Sequence, residues 1–273
     1  MPIVKRWSPC RTTERRGYGR CRPASRSEHF ARRLGPAARD GFLPWRRLTV
    51  TGGWTGFEQG KGSSFYVFET ATGRLLRRVG GLPEFVNRLA WSPDGRYVAA
   101  GLLGANGIRL FETTGWHEVA RDADYAGAVY GLNFDGSGRL AAAAFDGIVR
   151  LYNPDLQPIA KSRAPGGARP ETVAFSPNGS TLAVGYNDTL NIDVLSVPDL
   201  RRVAAANVSG LTGGNLGQVA WGGDGTLFAA GTNWSAETGS SIFHWADSSR
   251  AHNPPRRRSQ GFAIDELRVC MLL

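Results

Sequence analysis

A chain of 273 residues with a formal net charge of +10 is long enough for one large domain or two of ordinary size, and its charge is unevenly spread. Residues 1–40 hold eleven lysines and arginines against Glu14, Glu28 and Asp40, and Arg250 joins Arg256, Arg257 and Arg258 in a second cluster, so the chain between is close to neutral. No stretch approaches the ~20 apolar residues of a membrane helix, and Cys10, Cys21 and Cys270 are too scattered for a disulfide framework or a zinc site.

Taken in chain order, residues 1–44 form a basic, low-complexity N-terminal segment with Arg, Pro, Gly and Ser throughout. That composition predicts disorder. Contact with nucleic acid, contact with an anionic membrane surface and a transit-like presequence are the competing readings, and any nucleic-acid contact is assigned to this tail alone. The N-terminus has no apolar core of the secretory kind, and the chain is expected to be soluble and cytoplasmic.

From residue 45 the pattern changes. Residues 47–52 (RLTVTG), 64–69 and 75–79 read as three strands, and then four segments repeat: NRLAWSPDGRYVAAG at 87–101, YGLNFDGSGRLAAAA at 130–144, ETVAFSPNGSTLAVG at 171–185 and GQVAWGGDGTLFAAG at 217–231. Their shared turn glycines, Gly95, Gly138, Gly179 and Gly225, are spaced by 43, 41 and 46 residues, a period suited to a four-stranded propeller blade and too long for leucine-rich or ankyrin repeats. Within each unit a first strand, a, ends at an aromatic (Trp91, Phe134, Phe175, Trp221). A tight turn follows, in which Pro presets φ, Asp bonds nearby backbone and Gly accepts positive φ. Strand b is then small and apolar throughout, which suits a sheet with both faces dry. Strand c follows at 108–112, 149–153, 192–196 and 241–247, and a more polar outer strand, d, is expected at 116–121 and 200–205.

The run of SPDG-type turn, small strand, Asp-Gly and x-Arg-Leu-aromatic resembles the Trp-Asp (WD) repeat β-propeller family over residues 45–247, in particular its divergent bacterial members. Chains rich in SPDG turns also resemble YVTN-type propellers. The resemblance implies an all-β fold of four-stranded antiparallel blades, about five here. It departs from the family in two ways. The Trp-Asp pair is replaced by Phe68-Glu69, Phe111-Glu112, Tyr152-Asn153 and Leu195-Ser196, with Trp245-Ala246-Asp247 nearest to it, and the Gly-His pair before strand a is absent. The first unit lacks strand a, and residues 250–273 form a tail with a spare a-like strand at 263–270. Two alternatives follow: a five-bladed ring closed by that strand, monomeric in solution, or a truncated member of a larger propeller.

No catalytic, cofactor or metal constellation emerges. His29, His117, His244 and His252 share no ligand spacing, and Asp94, Asp146 and Asp224 each stand beside a turn glycine. The Gly-rich 210–217 segment lacks the lysine and the helix of a phosphate loop. What remains is surface. The d–a and b–c loops share one face, where Trp54, Phe57, Phe85, Tyr125 and Trp234 gather either as a partner-binding patch or as plugs of the channel mouth. The resemblance implies a non-catalytic scaffold for protein partners; the alternative is an enzyme or small-ligand-binding propeller with its site at the central channel mouth.

Overall fold

The computed structural model describes residues 47–53, 62–209, 211, 213–232 and, for the backbone alone, 241–244. Eighteen strands among them form five consecutive antiparallel sheets. Blade I is β1 (Leu48–Thr51), β2 (Ser63–Glu69) and β3 (Leu75–Leu82). Blade II is β4 (Val86–Trp91), β5 (Tyr97–Leu102), β6 (Ile108–Glu112) and β7 (Glu118–Asp122). Blade III runs β8 (Val129–Phe134), β9 (Leu140–Ala144), β10 (Ile148–Tyr152) and β11 (Pro158–Arg163). Blade IV runs β12 (Pro170–Phe175), β13 (Thr181–Tyr186), β14 (Ile192–Ser196) and β15 (Arg202–Ala205). Blade V is β16 (Gln218–Trp221), β17 (Leu227–Gly231) and β18 (Ser241–His244). Each sheet pairs its strands in chain order, so every blade is a meander. The expected propeller blades are present, and all four a strands end at the expected aromatic. The basic segment 1–44 and the spare strand at 263–270 lie outside the described residues.

The core lies between sheets. β9 shows how the sequence achieves this: Leu140–Ala144 is fully buried along its length, yet strict alternation sends Leu140, Ala142 and Ala144 into the cluster shared with blade II and Ala141 and Ala143 into the cluster shared with blade IV. The same division recurs in β13, where Leu182 and Val184 face blade III while Ala183 faces blade V. A strand with two dry faces has no polar side to alternate, and alanine on both faces lets the neighbours approach. Consecutive sheets meet mainly through their a and b strands.

The a–b turns follow one plan with exchangeable side chains. In blade II the Ser92 hydroxyl donates to Asp94 Oδ1 at 2.6 Å, the Tyr97 amide donates to Ser92 Oγ at 2.9 Å, and Gly95 sits at φ 71°. Blade III swaps the two residues: Asp135 takes the serine's place and accepts from the Ser137 and Arg139 amides at 2.9 Å each. Asp135 also pairs with Arg139 at 2.6 Å, and Arg139 in turn donates to the Gly179 carbonyl of the next blade's turn at 2.8 Å.

The outer strands start later than expected. Trp116 and Leu200, assigned to strand d from sequence, instead occupy left-handed positions in the c–d turn (φ 59° and 55°), as do Gly73 and Leu156. The amide of each closes the turn onto the carbonyl of Glu112, Ser196, Glu69 or Asn153. A left-handed non-glycine residue costs about 1–2 kcal/mol, but burying a leucine gains about 1.5–3 kcal/mol. Leu156 and Leu200 are both buried in inter-blade clusters, and Trp116 packs edge-on against Phe65 and Trp91. Side-chain burial therefore outweighs the backbone preference, which a strand pattern in sequence does not reveal.

Where a b strand runs into the next blade, even alanine is too large at some positions. A Cβ on Gly185 would lie 2.7 Å from the Leu216 carbonyl oxygen and 2.8 Å from that of Gly217. Gly185→Ala should therefore destabilise the chain by about 1–3 kcal/mol in urea unfolding followed by fluorescence; an unchanged midpoint would show that blades IV and V do not meet there.

Candidate functional site

The loop face is built by ties between each b–c turn and the d–a loop that precedes its own blade. Backbone bonds run from Leu103 to Phe85, from Phe145 to Ala128 and from Asn187 to Arg169, each at 2.9 Å. In two blades an aspartate in the b–c turn adds a charged tie. Asp146 accepts from the Ala126 amide at 3.2 Å, and Asp188 accepts from the Ala168 and Arg169 amides at 2.8 and 3.1 Å. These aspartates therefore find their partners in backbone amides of the d–a loops.

Strand c supplies the buried partners. Arg150 of β10 pairs with Asp146 at 2.7 Å, with side chains only 4% and 5% exposed, and its guanidinium lies 3.8 Å over the Tyr125 ring while donating to the Asp124 carbonyl at 2.7 Å. The Tyr125 and Tyr152 hydroxyls meet at 2.9 Å, and Tyr152 donates to Asp122 at 2.7 Å. Burial opposes charge on Asp146, but the Arg150 guanidinium and the Ala126 and Ile148 amides prevail and hold its carboxyl below the usual range. Burial pushes both tyrosines upward, so they stay protonated donors. Blade IV answers with a different set. Asp193 takes the position of Arg150, accepts from the buried Tyr186 hydroxyl and pairs with Arg202 of β15 at 2.7 Å. Neither network was foreseen. The x-Arg-Leu-aromatic pattern placed Arg150 and Tyr152, but the Asp122 and Asp193 partners belong to no motif.

The five aromatics expected at the loop face have separate fates. Tyr125 stands in the d–a loop but is buried under Arg150, so its ring serves packing. Phe85 is half-buried in the d–a loop between blades I and II. Trp54, Phe57 and Trp234 lie outside the described residues. Missed at this face were Tyr130 and Phe145, both half-buried and stacked with centroids 4.0 Å apart, with Arg169 at 6.0 Å from the Phe145 ring. Deeper along the a strands, Asn87 Nδ2 and Arg88 Nε of β4 are buried without a hydrogen-bond partner. Burial pushes the Arg88 pKa down while Glu171 of β12 pulls it up. Glu171 itself accepts from Asn187 at 3.1 Å and Gln218 at 2.8 Å.

The outer rim carries a regular feature of its own. Three residues beyond each left-handed turn position stands an exposed aliphatic side chain: Leu76 (41%), Val119 (44%), Ile159 (43%) and Val203 (58%). The register is the same in all four outer strands. These side chains stand on the outer strand, away from the a and b strands through which sheets meet. Among the described residues, no three His, Cys, Asp or Glu side chains gather as a metal site, and no helix is long and apolar enough to cross a membrane.

Meandering four-stranded sheets stacked face to face define a β-propeller protein. Residues 74–111 match the family model described as WD domain, G-beta repeat. The all-strand fold and the succession of four-stranded antiparallel sheets agree with that family. The matched segment takes in β3 of blade I and runs through β4 and β5 into β6 of blade II, so the repeat unit straddles two sheets and its own sequence ties them together. No curated protein matches the chain.

Replacing Asp146 with alanine leaves Arg150 buried and unpaired, which should cost about 3 kcal/mol. Asp146 and Asp135 have depressed folded-state pKa values, so their contribution is complete above the unfolded carboxylate value of about 3.9. It is lost as pH falls through the folded pKa. Urea midpoints measured from pH 6 down to 3 should fall steeply below about pH 4 in the wild type, and less steeply in D146N. Parallel curves would remove Asp146 from the acid response.

Proposed function

We propose that this chain is a non-catalytic scaffold that docks protein partners on its blade surfaces. WD repeats are typically such scaffolds. The observation that carries the reading is the register-matched row of exposed aliphatics on four outer strands, because scattered surface apolar residues are ordinary but a repeated position is not. The loop face adds Phe85, Tyr130 and Phe145 to the proposed contacts Trp54, Phe57 and Trp234, aromatic residues being enriched at interface hot spots. Alanine at Trp54 or at Trp234 should leave the denaturation midpoint unchanged and weaken partner capture by the immobilised chain. A loss of stability instead would make these rings structural.

Small-ligand binding at the channel is the second reading, and one observation favours it. The unpartnered nitrogens of Asn87 and Arg88 are donors held ready in a desolvated setting, where an anion gains more than it does in water. Inorganic phosphate, compared with chloride at equal ionic strength, should then raise the melting temperature of the wild type and not of R88Q. Equal melting temperatures would exclude an anion at this position.

A further inference from the structure

We propose that the outer edge of β3 docks an extended, acidic segment of a partner protein by strand addition. The inference rests on the scaffold reading and names the partner's chemistry. An edge strand offers unpaired backbone groups to any extended chain, and folded proteins blunt such edges with proline, with charge or by shortness. Three of the four outer strands show one of these devices. β7 carries Glu118 and Asp122 in five residues, and Glu118 neutralises Arg121 at 2.6 Å. β11 opens with Pro158, which has no amide to donate, and its Lys161 is held by Asp124 at 2.6 Å. β15 is only four residues long, with Arg202 bound to Asp193.

β3 has neither proline nor shortness, and its charge is all of one sign, the two exposed arginines Arg77 and Arg78. At eight residues (LLRRVGGL) it is the longest outer strand among the described residues, and it contains no acid. Four consecutive residues, Leu75, Leu76, Arg77 and Arg78, are exposed. Leu75 joins Leu76 among the exposed large hydrophobics, so this strand has two where each of the others has one. The Arg78 side chain donates to Ser64 at 2.9 Å, whereas the Arg77 side chain has no hydrogen bond or ion pair among the described residues.

Charge selects the occupant. A second copy pairing antiparallel about Arg77–Arg78 would set cation against cation, which is destabilising across a ladder. An added strand alternating acidic and apolar side chains instead meets Arg77 with carboxylate and Leu75 and Leu76 with apolar surface, while main-chain bonds supply affinity independent of its detailed sequence.

The test uses the full chain and a fluorescein-labelled octapeptide of alternating glutamate and valine, read by anisotropy. Binding should weaken about tenfold in R77E, fall with added salt, and be abolished when a central valine of the peptide is proline or when its glutamates are lysines. Because Arg77 and Leu76 are exposed, R77E and Leu76→Gln should keep the wild-type denaturation midpoint, and Leu76→Gln should also weaken binding. Hydrogen exchange should show new amide protection at residues 75–79 and none at Val119, Ile159 or Val203. Absent binding, equal affinity in R77E, or protection on another strand overturns the proposal. If the peptide fails while wild type and R77E capture a protein partner equally, the scaffold reading survives and this edge is excluded.

Discussion

Each blade depends on having two dry faces. A sheet in a sandwich has one partner and can leave its other side to water. Here β5, β9 and β13 bury both sides, and every residue of Leu140–Ala144 is out of solvent. Small side chains make this possible, since sheets interdigitate at roughly 10 Å only when the central rows are not bulky. The consequence reaches outward along each strand order. Bulk excluded from strand b must be supplied elsewhere, and it is: Phe65, Phe111 and Trp116 fill the blade I–II layer, while Tyr152 and Leu156 fill the next. No blade owns a core, so stability is a property of neighbours, as in other repeat arrays.

That dependence explains why so much polar chemistry is spent on holding neighbouring segments in register. Asn133 accepts the Phe175 amide across blades at 2.9 Å, Trp221 donates to the Ala174 carbonyl at 3.0 Å, and Arg139 reaches the turn of the blade after its own. The loop face uses carboxylates for the same task. Asp146 and Asp188 bond loop amides directly, so the position does not require a histidine, and blade III can hold Arg150 against Asp146 while blade IV inverts the charge with Asp193 and Arg202. A network whose polarity can be exchanged between adjacent blades is held by the pairing of opposite charges more than by any one residue type, although Arg150 Nε and Asp193 Oδ1 are buried without a hydrogen-bond partner.

This also marks what was legible in the sequence. Period, strand order and the aromatic ends of strands a are local signals repeated four times, and the structure has them where the residues place them. The three strand segments read for blade I are likewise the three that its sheet has among the described residues. Strand d was misjudged at Trp116 and Leu200, because a left-handed residue held by tertiary burial has no local signature. Tyr125 was legible as a loop aromatic but not as a buried one, since the ring's cover, Arg150, lies on a strand 25 residues later. The exposed row Leu76, Val119, Ile159 and Val203 was visible as a pattern, yet its orientation follows from how sheets meet and not from the strands themselves.

Why the rim should be the variable surface follows from the same constraint. Positions on strands a and b are claimed from both sides, and even a methyl group at Gly101 would come within 2.7 Å of Val129. The outer strand is claimed from one side only, so its free edge and its solvent-facing register can change without disturbing an inter-blade layer. The four outer strands have in fact diverged in the features that govern edge pairing, from proline in β11 to acids in β7 and length in β15, while keeping one aliphatic position constant. Constancy of that side chain gives the four outer strands the same exposed apolar contact. Divergence of the remainder is where recognition is free to act, and among the described residues it leaves β3 as the outer strand on which two exposed leucines stand beside the exposed Arg77.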